Sequence, residues 1–325
     1  MTNTDDFQWL DQFPEDERED EDEPTSVRRA SGPKPGLKER YEGHPDVQRW
    51  LREQQFKKPT KPPFEPSFLA GQRDRSWLLS SLTYFYEQDL ISDVVAVVKS
   101  GKEATVYCCA ADPATGEEYL AAKVYRPRMF RSLRNDAVYR TSRVQYDERG
   151  RLVRQSYGRH GRRDSGSEQG RVEQVTAWIG YEYETMRRLH RAGADVPRPL
   201  GQASNATLMS YIGDGEQAAP LLHEVTLAPE EAQPLFDRAL WNIECFLSCR
   251  RVHGDLSAYN ILYWQGAITI IDLAQAVDPK ENAATFLLLE RDIERTYRYF
   301  ARYGITADPH ELAVDMWTHY LGRLF

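Results

Sequence analysis

Apolar residues recur at helical spacing in the segment that begins near Ser76. In SWLLSSLTYFYEQDLI, Trp77, Leu82 and Phe85 lie on one stripe, and the hydroxyl of Ser76 can cap the first turn. β-branched residues dominate the next segment, SDVVAVVKSGKEATVYCCAAD, which a polar turn divides into two stretches. YLAAKVYR follows as a third apolar run. The pattern predicts a helix, a β-hairpin and a further strand.

The downstream half alternates between the two periodicities. VEQVTAWIGYEYETMRRLHRAG predicts an amphipathic helix that stops at Gly193, and VPRPLGQASNATLMSYIGDG predicts two short strands and a turn. From about Pro229 the pattern is mainly helical. It is interrupted by RVHGDLSAYNILYW and by a strand pair, NILYW and AITIIDLA, that a turn at Gln265–Gly266 joins. Helices mixed with antiparallel strands indicate an α+β fold.

Length and composition indicate a globular protein. The 325 residues are 41% hydrophobic, enough for a sizeable core. There is no run of about 18 apolar residues, and the first residues, MTNTDDFQWLDQF, lack the pattern of a signal peptide. The four cysteines show no metal-binding spacing and are expected to be reduced thiols. We therefore expect a cytoplasmic protein with no membrane association.

The net charge of −8 is unevenly distributed. Residues 1–24 hold eleven acidic residues and one arginine, so the rest of the chain has a charge of +2. Pro- and Lys-rich segments follow, and residues 1–75 are predicted to form a mostly disordered N-terminal extension. Its acidic run is interpreted as a solubilising tail, with a docking arm for a basic partner, or a mimic of nucleic-acid phosphate, as the alternative.

A second segment of unusual composition lies inside the ordered part. Residues 143–171 contain eight arginines and four acidic residues, with few large apolar side chains. This composition predicts a flexible, solvated insertion. The alternative is a contact surface for RNA, for a ribosomal partner, or for an acidic protein, the chain's own tail included.

Two charged residues occupy segments where charge is costly. Lys123 lies in the middle of the apolar strand AAKVY and must meet an anion, either a carboxylate or a phosphate. Glu182, in the long helix that follows, is a candidate partner. A Lys–Glu pair between a strand and the following helix would direct the ammonium group at a bound phosphate.

Three further polar residues surround the predicted strand pair. Asp272 ends the buried run ITII, and a carboxylate fixed at the end of an interior strand suits Mg²⁺. Asn260 precedes the first strand, and an antiparallel return would bring it to the same metal as Asp272. Asp255 would stand apart and face the group that attacks the terminal phosphate. HGDLSAYN is therefore predicted to be a phosphoryl-transfer catalytic loop.

The turn SGKEA fits phosphate binding only in a modified form. When Val106 is aligned with the valine of the kinase pattern GxGxxGxV, only Gly101 of the three glycines remains. An ordinary hairpin turn would have the same sequence. The case for a kinase-like fold therefore rests on the ordered combination of this turn, Lys123, the catalytic loop and Asp272.

Several blocks, in this order, resemble the RIO-type atypical serine/threonine protein kinases. They are VVKSGKEATVY, AAKVYRPRMFRSLRNDAVYR, WIGYEYETMRRL, LMSYIGDGEQAAPLL, VHGDLSAYNILY and ITIIDLAQAVD, between about Trp77 and Gly304. The resemblance implies a trimmed bilobal kinase fold. Residues 76–212 would form an N-lobe of antiparallel sheet and helices, and residues 213–325 a mainly helical C-lobe without a long activation segment.

The resemblance also implies roles for individual residues. Lys123 would contact the ATP phosphates with Glu182 as its partner, and Asp255 would be the catalytic-loop aspartate. Asn260 and Asp272 would bind Mg²⁺, or Mn²⁺ in its place. Asp272 is in addition a candidate phosphoryl acceptor, which would make the protein an ATPase as much as a kinase. The acceptor would be an unknown protein or the chain itself, by autophosphorylation.

ATP would bind between the SGKEA turn and the IGDG hinge. Backbone groups of Ser210 and Ile212 would receive the adenine, with Met209 behind it. The remaining nucleotide contacts in this interpretation are Ser100, Gly101, Lys102, Glu103, Val106, Ala121 and Ile271. The chain departs from the family pattern at Ser210, where an acidic residue is usual, and at Ala258, where a glutamate is usual.

Two other functions remain open from the residues. Aminoglycoside- or choline-type phosphotransferases use a near-identical HGDxxxxN loop, but they would need a larger helical insertion than the roughly forty residues between hinge and loop allow. A catalytically slow, ATP-binding assembly scaffold would keep Lys123, Glu182 and Asp272. His253 is interpreted as a structural support of the loop.

Overall fold

The computed structural model describes residues 61–68, 75–101, 103–126, 145–146, 152–153, 168–203, 205–215, 217–280 and 284–323, the side chains of 145–146, 152–153 and 168–175 excepted. Five α-helices occur in these ranges: α1 (Arg75–Glu87), α2 (Glu168–Arg191), α3 (Pro229–Ser248), α4 (Thr285–Ala301) and α5 (Pro309–Gly322). The α+β fold class predicted from the sequence is confirmed.

Five strands form one antiparallel sheet in the order β1-β2-β3-β7-β6. Their bounds are β1 (Ile91–Ser100), β2 (Ala104–Ala111), β3 (Tyr119–Tyr125), β6 (Pro199–Ala203) and β7 (Ala206–Ser210). Lys123 pairs with Val106 on one side and with Thr207 on the other, so it lies on a central strand. Two short strands, β4 (Gln145–Tyr146) and β5 (Leu152–Val153), pair with each other inside the arginine-rich segment.

Helix α1 covers one face of this sheet. Its buried residues include Trp77, Leu82 and Phe85 of the predicted stripe, and they pack with apolar residues of β1, β3 and β7. The burial of this face supplies most of the stability of the helix, because a 13-residue helix is marginal in isolation.

Ordered structure reaches further toward the N-terminus than the sequence predicted. Phe64 is 7% exposed and stacks on Tyr86, with 4.7 Å between ring centroids. The backbone N–H of Phe68 donates to Val94 at the edge of β1. These aromatic residues lie in a Pro-rich stretch without periodicity, and only their contacts with the sheet show that they are part of the core. The acidic run of the predicted extension lies outside the described residues.

The helical part of the chain has its own core. Leu189, Phe236, Ile243, Ile261 and Phe300 are among its buried members. Strands β8 (Ile261–Trp264) and β9 (Ala267–Ile270) form the predicted antiparallel hairpin, and Gln265 and Gly266 adopt positive φ in its two-residue turn. Helix α4 begins at Thr285, soon after Asp272. No described helix is long and apolar enough to cross a membrane.

Candidate active site

A cavity of about 680 Å³ lies between the five-stranded sheet and the β8–β9 hairpin. Its lining combines apolar side chains from the sheet with charged groups at one end, as ligand pockets commonly do. Most residues singled out in the sequence line it, namely Gly101, Glu103, Val106, Ala121, Lys123, Glu182, Met209, Ser210, Ile212, Asn260, Ile271 and Asp272. Ser100 and Asp255 do not, and Lys102 lies outside the described residues.

Lys123 joins two carboxylates at the charged end of the cavity. Its Nζ is 2.7 Å from Oε1 of Glu182 and 2.9 Å from Oδ1 of Asp272. Burial by itself would lower the pKa of Lys123, but attraction to Asp272 and Glu182 outweighs it and raises that pKa well above its ordinary value. The side chain is therefore a permanent cation, 15% exposed, directed into the cavity.

Asp272 is held in an unusual backbone conformation. Its φ of 63° and ψ of 68° are in the left-handed region, which a residue with a Cβ rarely adopts. The ammonium group of Lys123 lowers the pKa of the Asp272 carboxyl, so the group is an anion at neutral pH. Half of its side chain is exposed, in contrast to the buried carboxylate of Glu182.

The β8–β9 hairpin brings Asn260 next to this carboxylate in the chain fold. Ile261 pairs with Ile270, and the N–H of Ile271 donates to the carbonyl of Asn260 over 2.9 Å. The amide nitrogen of Asn260 donates to the carbonyl of Asp255 at 2.8 Å. Because Nδ2 is used in the loop, Oδ1 is the side-chain atom of Asn260 that could face a cation.

The loop HGDLSAYN is supported from several directions. His253 is 2% exposed; its Nδ1 accepts the N–H of Asp255 at 3.3 Å, so Nε2 carries the proton and donates to the carbonyl of Ile271 at 3.0 Å. Gly254 has a φ of +80°, and a Cβ there would come within 2.7 Å of the carbonyl oxygen of Gln275. The glycine is therefore required both by the turn and by this close approach.

The carboxylate of Asp255 is not among the groups that line the cavity. Its Oδ1 accepts from Nη1 of Arg295 at 2.8 Å, and its Oδ2 lies 3.4 Å from Nδ2 of Asn260. About half of the Asp255 side chain is exposed. The group is therefore accessible, and it contacts Asn260, which lines the cavity.

The chain matches a known protein family over most of its described length. A family model described as the RIO domain matches residues 107–312. This chain belongs to the RIO domain family. The match begins in β2 and ends in α5, so α1 and β1 precede it.

Individual relatives agree with this assignment. The serine/threonine-protein kinase RIO1 of Chaetomium thermophilum is 30% identical over 228 residues, which are 67% of this chain and 41% of that protein. The RIO-type serine/threonine-protein kinase Rio1 of Thermoplasma acidophilum is 36% identical over 138 residues, 42% of this chain and 71% of that protein. The chain spans about two fifths of the length of the eukaryotic relatives from Chaetomium and Caenorhabditis elegans.

A solved structure shows the same fold. It is the Rio2 kinase–ADP/Mg²⁺–phosphoaspartate complex from Chaetomium thermophilum, with a TM-score of 0.51 and 18% sequence identity. The likeness covers 77% of this chain and 69% of that one. The kinase-like fold expected from the sequence is therefore confirmed.

Tyr125 is a site residue of this RIO domain that the sequence analysis missed. It is fully buried, and its hydroxyl donates to Oε2 of Glu182, while Oε1 of the same carboxylate receives Lys123. Trp178 packs edge-on against its ring at 5.3 Å. The available signal was spacing, because residues two apart on a strand point to the same face.

Asp292 of α4 was also missed. It is 1% exposed and accepts the backbone N–H groups of Gly254 at 2.7 Å and of Leu256 at 2.9 Å. Burial raises the pKa of this carboxyl to about 6, although the two hydrogen bonds oppose the change. The signal in the sequence was a charged residue on the apolar face of a helix, between Leu288 and Thr296.

The SGKEA turn, the candidate phosphate-binding loop, is held by hydrogen bonds from Arg126 and within its own backbone. Arg126, at the end of β3, donates to the hydroxyl of Ser100 and, at 2.9 Å, to that of Thr105. The N–H of Gly101 donates to the carbonyl of Ala104 at 2.9 Å, which closes the turn. The hydroxyl of Ser100 is thus engaged by Arg126, and Glu103 lines the cavity instead.

The hinge candidate follows β7. The N–H of Ser210 donates to the carbonyl of Arg198 at 2.8 Å, and the carbonyl of Ile212 accepts from Ala219 at 2.9 Å. Gly213 has a φ of +141°, and a Cβ there would overlap the carbonyl oxygen of Gln217. The glycine therefore permits the sharp turn by which the chain leaves the sheet.

Proposed function

We propose that this RIO-domain protein transfers the terminal phosphoryl group of ATP with the help of Mg²⁺, as a serine/threonine kinase, an ATPase, or both. One observation carries the proposal: Lys123 contacts both Glu182 and Asp272 in a cavity that Asn260 also lines. A cation and hard oxygen donors at the end of an otherwise apolar pocket suit a nucleotide triphosphate. The relatives from Chaetomium and Thermoplasma are named serine/threonine-protein kinases, which supports the same activity.

The adenine is proposed to bind at the hinge end of the cavity. Ser210 and Ile212 each use one backbone group inside the protein, so the carbonyl of Ser210 and the N–H of Ile212 are the groups proposed to pair with the base. Met209 would lie behind the ring, with Val106, Ala121 and Ile271 as its apolar neighbours. The residues 100–103 of the turn would cover the phosphates.

The donor set fits Mg²⁺. Among the described residues no group of three or more His, Cys, Asp or Glu side chains is arranged to hold a metal by itself. Mg²⁺ binds proteins through one or two oxygens and takes the rest from phosphates and water, so Oδ1 of Asn260 and the carboxylate of Asp272 suffice. When bound, the ion neutralises charge on the phosphates.

The protein's own groups then divide the work. Lys123, fixed by Glu182 and Tyr125, would bind the phosphate oxygens and stabilise the charge that shifts toward the leaving ADP. The carboxylate of Asp255 would accept a hydrogen bond from an acceptor hydroxyl or water and orient its oxygen toward the terminal phosphorus. That oxygen bonds to the phosphorus and passes its proton to Asp255, while the bond between the phosphorus and the bridging oxygen breaks and ADP leaves.

A second course starts from Asp272 as nucleophile. Its carboxylate oxygen would bond to the terminal phosphorus as the bond to ADP breaks, which gives an acyl-phosphate. Water would then cleave that phosphate and restore the carboxylate. The solved Rio2 kinase is an ADP/Mg²⁺–phosphoaspartate complex, which supports this course for a protein of the same fold.

The test is phosphate release from γ-labelled ATP with Mg²⁺, followed by hydroxylamine treatment of the protein. Label that hydroxylamine removes, and that Asp272→Asn abolishes, would indicate the acyl-phosphate. Hydroxylamine-stable label on a protein would indicate serine or threonine phosphorylation. Binding of ATP without any turnover would overturn the proposal in favour of an assembly scaffold.

Partners and location are proposed on narrower grounds. The acceptor is proposed to be a protein or the chain itself, and the arginine-rich residues 143–171 to contact RNA or an acidic partner, on the basis of their charge. A cytoplasmic location is supported by the four free cysteines, since a reducing compartment keeps thiols unpaired.

A further inference from the structure

Three residues of α4 contact the loop that carries Asp255. Asp292 accepts two backbone N–H groups of the loop, and Nη2 of Arg291 donates to the carbonyl of Gly254. Arg295, one helical turn after Arg291, contacts the loop through a side chain instead. Its Nη1 donates to Oδ1 of Asp255 at 2.8 Å. Arg291 and Asp292 thus hold the backbone, and Arg295 holds the carboxylate.

The orientation of the Asp255 carboxylate depends mainly on Arg295. Within the described residues, the other side chain near this carboxylate is that of Asn260, whose Nδ2 is 3.4 Å from Oδ2 and makes its shorter bond to the backbone carbonyl. The supports of His253 and Asp292 end at backbone atoms. Rotation of the carboxylate about its own side-chain bonds is therefore restrained by the guanidinium group.

The ion pair is not explained by stability. The side chains of Arg295 and Asp255 are 39% and 51% exposed, and ion pairs of such exposure contribute little to folding because solvent screens them. Arg298, three residues later on the same helix, makes a comparable exposed pair with Glu294. The pairs differ in what they hold: Arg298 restrains a surface glutamate, whereas Arg295 restrains the candidate catalytic aspartate.

We propose that Arg295 is a positioning residue for phosphoryl transfer, a role that rests on the proposed function of Asp255. Its donor occupies Oδ1, which leaves Oδ2 to accept the hydrogen bond of the incoming hydroxyl or water. An Arg–carboxylate hydrogen bond is directional, so it restrains the orientation of the carboxylate as well as its place. Arg295 does not line the nucleotide cavity, and its effect should fall on turnover and not on ATP binding.

The experiment compares Arg295→Met, Arg295→Lys and the matched control Arg298→Met in the full chain. Methionine keeps the aliphatic stem and removes the charge, and lysine keeps the charge without the planar group. We expect Arg295→Met to lower kcat about ten- to a hundredfold, the scale of a misoriented reacting group, with KM for ATP within about twofold of wild type. Arg295→Lys should recover part of kcat, and Arg298→Met should match wild type.

Each other result overturns the inference. If Arg295→Met turns over like Arg298→Met while Asp255→Ala is inactive, the aspartate is catalytic and Arg295 does not position it. A parallel loss of kcat, ATP affinity and Tm in Arg295→Met would show a structural role. Wild-type turnover that survives Asp255→Ala would overturn the proposed role of Asp255, and the role of Arg295 with it.

Discussion

At the residue scale, the site is organised around one lysine that meets two carboxylates. Lys123 reaches Glu182 and Asp272 because β3 is a central strand whose side chains alternate between the sheet core and the cavity. An ammonium group in this position is tolerated since both partners are within hydrogen-bond distance. The charged residues proposed to act on ATP are thus the same ones that need oppositely charged partners in the folded protein.

The first prediction concerns the two groups assigned to the phosphates and the acceptor. Lys123→Ala and Asp255→Ala should each lower ATP turnover at least about a hundredfold, the usual scale for loss of one key electrostatic or acid–base group. Steady-state phosphate release measures the effect, with circular dichroism as the control for folding. Near-normal turnover of both folded variants would show that these site assignments are wrong.

The second prediction concerns Tyr125. Tyr125→Phe removes the donor to Oε2 of Glu182 and leaves a buried carboxylate oxygen without that bond. We expect the free energy of unfolding to fall by about 1–3 kcal/mol, and ATP turnover to fall as well because Glu182 no longer fixes Lys123. Urea denaturation and phosphate release are the two measurements.

Tyr183→Phe is the matched control for this experiment. Tyr183 lies on the same helix as Glu182 and is half-buried. Its hydroxyl has no hydrogen bond to any residue that the structure describes, so its removal should change neither quantity. Equal effects of the two substitutions would show that the hydroxyl of Tyr125 contributes neither to stability nor to turnover through Glu182.

At the element scale, helix α4 supports the catalytic-loop candidate while it packs in the core. Leu288, Leu289 and Ile293 are buried with the other helices, and Asp292 lies on the same apolar face. A carboxylate there is compensated by the N–H groups of Gly254 and Leu256, which would otherwise lack partners in a tight turn. The helix therefore couples the position of the loop to the core.

The third prediction follows from the pKa of Asp292. Its folded-state pKa of about 6 exceeds the ordinary 3.8, so between about pH 4 and 6 the folded protein binds a proton that the unfolded chain has released. The free energy of unfolding should therefore fall as pH rises through this window, by about 3 kcal/mol from this group alone. Asp292→Asn removes the titration, and its stability should change less between pH 4 and 6.

Urea denaturation at several pH values measures this difference. Asp315→Asn, an exposed aspartate on α5, is the control and should keep the wild-type pH dependence. If Asp292→Asn and wild type show parallel curves, Asp292 does not titrate in this range.

At the scale of the whole molecule, the sheet and the helical part have separate cores, and the cavity lies where they meet. Lys123 and Glu182 come from one side, and Asn260 and Asp272 from the segments that flank the β8–β9 hairpin. A ligand that contacts both sides should therefore raise the free energy of unfolding of the sheet and of the helical part together.

The fourth prediction is a Mg²⁺-dependent stabilisation by ATP. At a concentration about a hundredfold above Kd, Mg·ATP should add about 2.7 kcal/mol, which for a chain of this size raises Tm by about 4–5 °C. Chelation of Mg²⁺ should reduce the increase, and Asp272→Asn should abolish its Mg²⁺-dependent part. If wild type with ATP has the same Tm in the presence and in the absence of Mg²⁺, Asp272 has no metal-binding role.

Much of this fold could be predicted because its signals are local. The α1 stripe, the turn at Gln265–Gly266 and the lysine inside an apolar strand are readable from short stretches, since periodicity and turn chemistry act over a few residues. The order of the motifs along the chain then indicated the resemblance to the RIO family. Phe64 and Phe68 were missed because their burial depends on Tyr86 and Tyr107, which come later in the chain.

The sequence by itself determined the α+β class, the RIO resemblance and the charged residues that demand partners, because burying an unpaired charge is costly whatever the fold. The sequence also named Glu182 as a partner of Lys123, but only the tertiary structure added Asp272 to that lysine and Arg295 to Asp255. Lys123 and Asp272 are 149 positions apart, and Asp255 and Arg295 are 40 apart. No local pattern specifies such pairs, because the packing of the sheet, the hairpin and α4 around shared cores brings them together.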